Sequence, residues 1–109
     1  SHAASGASVS GSLTVQGSAG NNGLVSLAGN GVVNGVTDLK LAVGSVNKVT
    51  VNSTGTTFTG QINLAALNTA PASASATGTL GEIRFTADHI YVCVATSPSA
   101  WKRVGIATF

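Results

Sequence analysis

The chain has no methionine, one cysteine, one tryptophan, one tyrosine and three phenylalanines in 109 residues. Charged residues make up 7%, against roughly 25% in ordinary globular domains. Each shortage excludes something. A lone cysteine, Cys93, rules out an internal disulfide. Five basic and three acidic residues leave a formal charge of +2. With no Lys/Arg cluster beyond Lys102-Arg103, nucleic-acid binding through a basic patch is not expected. No apolar run approaches the roughly 18 residues of a membrane helix. A basic start followed by a continuous apolar stretch, the mark of a secretory leader, is missing too. Ser1-His2 looks like the remnant of a cleaved tag, and the sequence reads as the C-terminal part of a longer protein.

What is present is small and apolar. Leu, Ile, Val and Phe total 28 residues, about 26% of the chain, above the roughly 20% below which disorder is expected. Yet ordering each residue costs roughly 1–2 kcal/mol of backbone entropy. Burial returns roughly 25 cal/mol per Å² of apolar surface, and Val and Ala bring little area each. A monomer built this way is marginal, so the composition predicts an obligate oligomer in which identical chains share one interior.

Helix signals are nearly missing, because Gly, Ser, Thr, Asn and Val all form helices poorly. Period-two alternation recurs in short runs: Val9, Gly11, Leu13 and Val15; then Leu39, Leu41 and Val43; then Val49 and Val51. Asn22-Gly23, Asn30-Gly31 and Asn34-Gly35 favour tight type I′ hairpins, since both residue types accept positive φ. These features predict an all-β chain, either a homotrimeric β-prism or an intertwined β-stem, ending in a small antiparallel tip. Around a threefold axis, space narrows toward the centre, and small side chains fit there. No strict repeat supports a solenoid.

The expected organisation is an N-terminal lead over 1–8, a β-rich stem over 9–67, a surface linker over 68–79 and a tip over 80–109. Ala65-Ala66-Leu67 suggests a short helical turn. In the tip, strands are expected near 82–87, 89–96 and 101–107, with turns at Ala87-Asp88 and over 96–100. Ile90, Val92 and Val94 alternate with Tyr91, Cys93 and Ala95, so the middle strand should be covered on both faces. Packing of the core and trimer falls to Ile83, Phe85, Ile90, Val92, Val94, Val104 and Ile106. Acid–base contacts are expected at Glu82/Arg84 and among Asp88, Lys102 and Arg103.

The tip carries Gly81-Glu82-Ile83-Arg84, then Ile90-Tyr91-Val92-Cys93, Ala95-Thr96 and Trp101-Lys102-Arg103-Val104. That order of rare residues resembles a C-terminal module of bacteriophage tail-fibre and tailspike-like proteins. The match covers about the last 40 residues, and Asn68 to Ser73 looks like the module's lead-in. The loop over 96–100 looks longer than is usual in such modules. The resemblance implies a homotrimer in a virion tail, joined to upstream tail proteins and assembled in the bacterial cytoplasm, where Cys93 stays reduced. It further implies a structural or adhesive role, with the tip presented to the host surface. Alternatives are a carbohydrate- or receptor-binding tip, engaging a surface glycan or outer-membrane receptor, and the trimerisation module of a glycan-degrading spike.

No enzyme is expected. Asp88-His89 is the one acid–His pair, and residues adjacent in a strand point to opposite faces, so Asp88 does not orient His89 for nucleophilic catalysis. A polar turn is the ordinary reading. A metal would need a threefold ring of His89, since carboxylates are scarce; neither a metal nor another cofactor is expected. Cys93 sits between Val92 and Val94, which points to a buried structural thiol. Trp101, Lys102 and Arg103, with Ser97 and Ser99 of the nearby turn, are the candidate receptor or glycan contacts, since aromatic faces and Arg forks serve that chemistry. The competing assignment packs Trp101 into the core and pairs Arg103 with Glu82 or Asp88.

Overall fold

A computed structural model describes residues 8–18 and 23–109. The expected lead over 1–8, save its last residue, and Asn22 of the first Asn-Gly turn lie outside them. Among the described residues the chain is all-β, with no helix and two antiparallel three-stranded sheets. It divides into two compact units, one ending at Thr57 and the other running from Phe58 to Phe109.

The first sheet is formed, in that order, by β1 (Leu39–Val43), β2 (Val46–Asn52) and β3 (Gly55–Phe58), all in the first unit save Phe58. The alternating apolar residues at 39–43 and 49–51 lie in β1 and β2. β1 and β2 are antiparallel, with Leu41 opposite Val49 and Val43 opposite Val46. Gly44 (φ 56) and Ser45 (φ 65) turn between them. Two successive positive φ values match a type I′ turn, whose twist suits the strands it joins. Between β2 and β3, Thr54 donates from N and Oγ1 to Asn52 Oδ1, at 3.1 and 2.7 Å. That side-chain turn is what Asn at this position supplies.

The type I′ geometry is not at the Asn-Gly pairs. Neither Gly31 nor Gly35 takes a positive φ, and no strand precedes Leu39 among the described residues. The alternation at Val9–Val15 therefore forms no ladder within the chain. An alternating pattern becomes a strand only where a partner strand takes up its N–H and C=O groups. Ala65-Ala66 forms a bend where a helical turn was expected. No described residue of this unit is buried; Leu39, Val49 and Thr50 reach only half-burial.

In the second unit, β4 (Ile83–Phe85), β5 (His89–Thr96) and β6 (Ser99–Gly105) form an antiparallel meander. Thr86 closes the first turn over Ala87-Asp88: its N donates to His89 O at 3.0 Å, and His89 N donates to its Oγ1 at 3.2 Å. Thr96 pairs with Ser99, so only Ser97-Pro98, joined by a cis peptide, spans the second turn. The long loop expected over 96–100 is thus a tight two-residue turn. A register shift between Cys93 and Ala95 bulges β5 at Val94.

Residues 68–79, expected as a linker, are bonded to the sheet. Asn68 N donates to Phe85 O and Asn68 Oδ1 accepts from Phe85 N, both at 2.8 Å. At the other edge, Trp101 N donates to Ala74 O at 2.8 Å. The segment is a strap that satisfies both outer strands, leaving little free edge for stray pairing.

Candidate functional site

The strap and the sheet enclose the chain's interior. Among the described residues the fully hydrophobic core is Tyr91 (9% exposed), Cys93 (0%) and Trp101 (7%), with Ala76 packed against it. Register explains the grouping. Cys93 pairs with Trp101, and Tyr91 pairs with Arg84 on one side and Arg103 on the other. Directly opposed residues share a face, so all five line the side that the strap crosses.

Trp101 is fixed from several directions. Its Nε1 donates to Ala76 O at 2.8 Å, which satisfies the indole of a buried ring. Gly78 lies against the ring so closely that an added Cβ would sit 2.5 Å from Trp101 Cζ2 and 3.0 Å from Cys93 Sγ. The Arg84 guanidinium stands 4.9 Å from the ring centroid, within cation–π range. Arg84 is held in turn: Nε donates to Glu82 Oε2 at 2.8 Å and Nη1 to Thr69 O at 3.3 Å. Glu82 closes its own turn, with its N donating to Thr79 O at 2.9 Å and its Oε1 accepting from Thr79 N at 3.1 Å. The Thr79 N–H and then Arg84 hold the Glu82 carboxyl below its ordinary pKa.

Glu82/Arg84 is therefore an ion pair, as the sequence suggested. The expected pairing of Arg103 with Glu82 or Asp88 is not formed. Arg84 and Thr79 take the Glu82 carboxylate, and neither Asp88 nor Arg103 enters an ion pair among the described residues. Sequence reasoning missed Gly78, Ala76 and the covering role of Arg84. The available signal was Arg84 two residues after Glu82, which puts both side chains on one face of an extended strand.

The candidate contact residues do not form one patch. Trp101 is packed away, and Arg103 is exposed on the same face. Lys102, opposite Val92, belongs to the other face. Ser99 Oγ is engaged, donating to Thr96 O at 3.2 Å and accepting from Gly78 N at 3.3 Å. Ser97 is exposed in the turn. Beside Trp101, a cleft of about 330 Å³ is lined by Pro71–Ala74, Tyr91 and the 101–103 segment.

The opposite face carries the other set. Ile83 pairs with Val92, Phe85 with Ile90, and Ile90 with Val104. Ile106 follows β6 two residues after Val104, and Val94 sits at the β5 bulge without a register partner. These seven are the residues expected to pack, but the chain covers only the Tyr91/Cys93 side of β5. Ile83, Phe85, Val94, Val104 and Ile106 remain 40–59% exposed.

Among the described residues the Asp88 and His89 side chains share no hydrogen bond. The His89 ring lies 5.6 Å from the Tyr91 ring, and in the turn its backbone N and O bond Thr86: N donates to Thr86 Oγ1, and O accepts from Thr86 N and Oγ1. The Cys93 thiol donates to Ala95 O at 3.2 Å and is sealed from solvent. No group of three His, Cys, Asp or Glu side chains is placed to hold a metal. No family model, curated protein or solved structure matches the chain.

Proposed function

We propose that the protein is a structural and adhesive piece of a homotrimeric fibre or spike in a phage tail, with its C-terminal tip presented to the host surface. One observation carries the oligomeric part. Among the described residues, large apolar side chains of both units stay open: Val9, Leu13, Ile62 and Leu67 are 58–72% exposed, and contiguous apolar surface left in water marks an interaction site. Leu24 (76% exposed) and Val32 (81%) stay open as well. The virion assignment rests on the tip's resemblance to tail-fibre modules.

As a fibre, the protein's task is mechanical. Shared burial makes each chain's order depend on its neighbours, so unfolding requires chains to separate together. That gives kinetic stability. Analytical ultracentrifugation or light scattering is expected to return three chain masses at micromolar concentration. A single chain mass overturns the proposal.

The cleft beside Trp101 favours a second reading, in which the tip also binds a surface glycan. Its size lies at the lower end of ligand sites, and Arg103 supplies a donor fork at its rim. Arg103→Ala is expected to abolish binding to host cells while leaving the trimer intact. Unchanged binding removes this reading.

A further inference from the structure

We infer that the cleft beside Trp101 takes a sugar bearing a carboxylate, with the anion held between Arg103 and the Tyr91 hydroxyl. The inference rests on the glycan reading of the tip and names the class of glycan. Every residue of the site lies in the second unit.

The first observation is an unpaired phenol. Tyr91 is only 9% exposed, and a tyrosine buried to that degree ordinarily bonds its O–H. Here the hydroxyl has no partner among the described residues. Nor is it sealed, because no side-chain polar atom among the described residues is both fully buried and unbonded. The hydroxyl therefore keeps an opening, and the geometry places that opening in the cleft that Tyr91 lines. A phenol can donate to a bound carboxylate there.

The second observation is a set of donors with no acid among them. Arg103 lines the cleft, is exposed, and lies opposite Tyr91 on the same face. It enters no ion pair among the described residues. Its backbone adds a further donor. Trp101 N points away from β5 to Ala74 O, so Arg103 N, two residues on in the strand, points the same way. The strap bonds β6 at Trp101, and no backbone group among the described residues takes Arg103 N. No Asp or Glu lines the cleft. The Glu82 carboxylate is taken by Thr79 N and Arg84. Donors around one opening, with no acid to neutralise them, favour a group that only accepts. A guanidinium fork fits a planar carboxylate through two parallel bonds.

The cleft itself favours a sugar over a bare anion. Its volume of about 330 Å³ exceeds what a small inorganic ion fills. Pro71, Ala72 and Ala74 of the strap present hydrocarbon to it, which suits the C–H face of a sugar ring. An apolar lining with a few placed polar groups is the usual make-up of a small-molecule site.

The test uses the full chain and a panel of uronic and nonulosonic acid oligosaccharides, each beside its carboxyl-reduced counterpart, with binding read by calorimetry. Trp101 emission reports whether the tip stays folded in each variant. At least one acid is expected to bind roughly tenfold tighter than both its reduced form and inorganic phosphate. Arg103→Gln is expected to weaken that binding roughly tenfold, and Tyr91→Phe, which removes only the oxygen, about fivefold. Lys48→Gln removes the same charge from exposed β2 in the first unit and is expected to change nothing. Reduced sugars that bind as tightly as the acids overturn the inference but leave the glycan reading standing. Phosphate binding as tightly as the acids makes this a bare-anion site and overturns it too, as does an equal loss in Lys48→Gln, or no binding by any acid. If Arg103→Gln alters the Trp101 emission, Tyr91→Phe decides, and parent-like affinity there overturns the placement. Host-cell binding untouched by Arg103→Ala removes the glycan reading and this inference with it.

Discussion

The two units of one chain solve the same compositional problem differently. The unit ending at Thr57 has a hairpin sheet with good turns and no buried side chain among its described residues. The unit from Phe58 onward has a sheet of the same size and a small closed interior. The difference is not the number of strands. It is one indole, one phenol and one thiol, together with a strap that reaches both sheet edges. A three-stranded sheet needs an apolar face packed on something to be stable. The tip supplies that cover itself for one face. The first unit has none among its described residues, and its leucines stay open, with Leu13, Leu24, Leu27 and Leu41 50–76% exposed.

Separating the chains should widen the contrast most. On dilution below the assembly's dissociation point, amides of β1–β3 are expected to lose hydrogen-exchange protection completely. Amides of β5, including Cys93 N, which donates to Glu82 O at 2.9 Å, are expected to keep measurable protection. Equal loss in both units would mean that the tip's interior contributes nothing by itself.

Next in size is the tip's own core. Trp101→Ala removes the ring that Gly78, Ala76 and Arg84 surround, and large-to-small changes of this kind cost about 3–5 kcal/mol. For a core of three buried residues that loss is expected to abolish the tip's separate protection. Gly78→Ala attacks the same contact from the other side. Its Cβ would stand 2.5 Å from the ring, so the strap or the indole must shift, at about 1–3 kcal/mol. Denaturant titration followed by Trp101 emission measures both.

The ion pair should give a smaller, pH-dependent effect. Glu82's folded pKa is lowered, first by the Thr79 N–H and then by Arg84. Its contribution to stability is therefore complete above the ordinary carboxylate pKa and is lost as pH falls through the lowered folded value. Midpoints of the parent are expected to fall through that acid window, and those of Glu82→Gln to fall less. Parallel curves would mean that Glu82 is no better placed than a solvated carboxylate. Arg84→Ala, which also removes the cation over the indole, is expected to cost a further 0.5–1 kcal/mol or about that.

Much of the tip was legible because its elements are set locally. Alternation placed β5 at 89–96, and Ala87-Asp88 marked its first turn. Ile83, Phe85, Ile90, Val92 and Val104 fall on one face by period two, and the bulge breaks that period at Val94. The rest was illegible for physical reasons. The strap has no large apolar residue; it is held through backbone carbonyls at Ala74 and Ala76, which every residue type possesses. Gly78 looks like any linker glycine until an indole lies against it. Asn-Gly signals misled in the first unit because a turn propensity specifies a hairpin only where flanking strands can pair. There, Gly44-Ser45 took that role between two runs of alternating apolar residues. Of the candidate contacts, Trp101 was legible both as an aromatic contact and, in the competing assignment, as a core residue, and it is buried; the strap that crosses above it was not legible.

The smallest effect sharpens the comparison from the first unit's side. Lys40 Nζ lies 3.8 Å from Asp38 Oδ2, and this is that unit's one ion pair among the described residues. Both side chains are partly exposed, at 47% and 33%, so water screens the attraction and holding them together costs rotamer freedom. Asp38→Asn is expected to move the assembly's unfolding midpoint by no more than a few tenths of a kcal/mol. If a larger drop appeared in thermal melts, the pair would have to be shielded further by a neighbouring chain, because its own chain leaves the two side chains 47% and 33% exposed. The size of that drop then measures how far the first unit is enclosed by its partners. A null result leaves apolar burial between chains as the source of the unit's order.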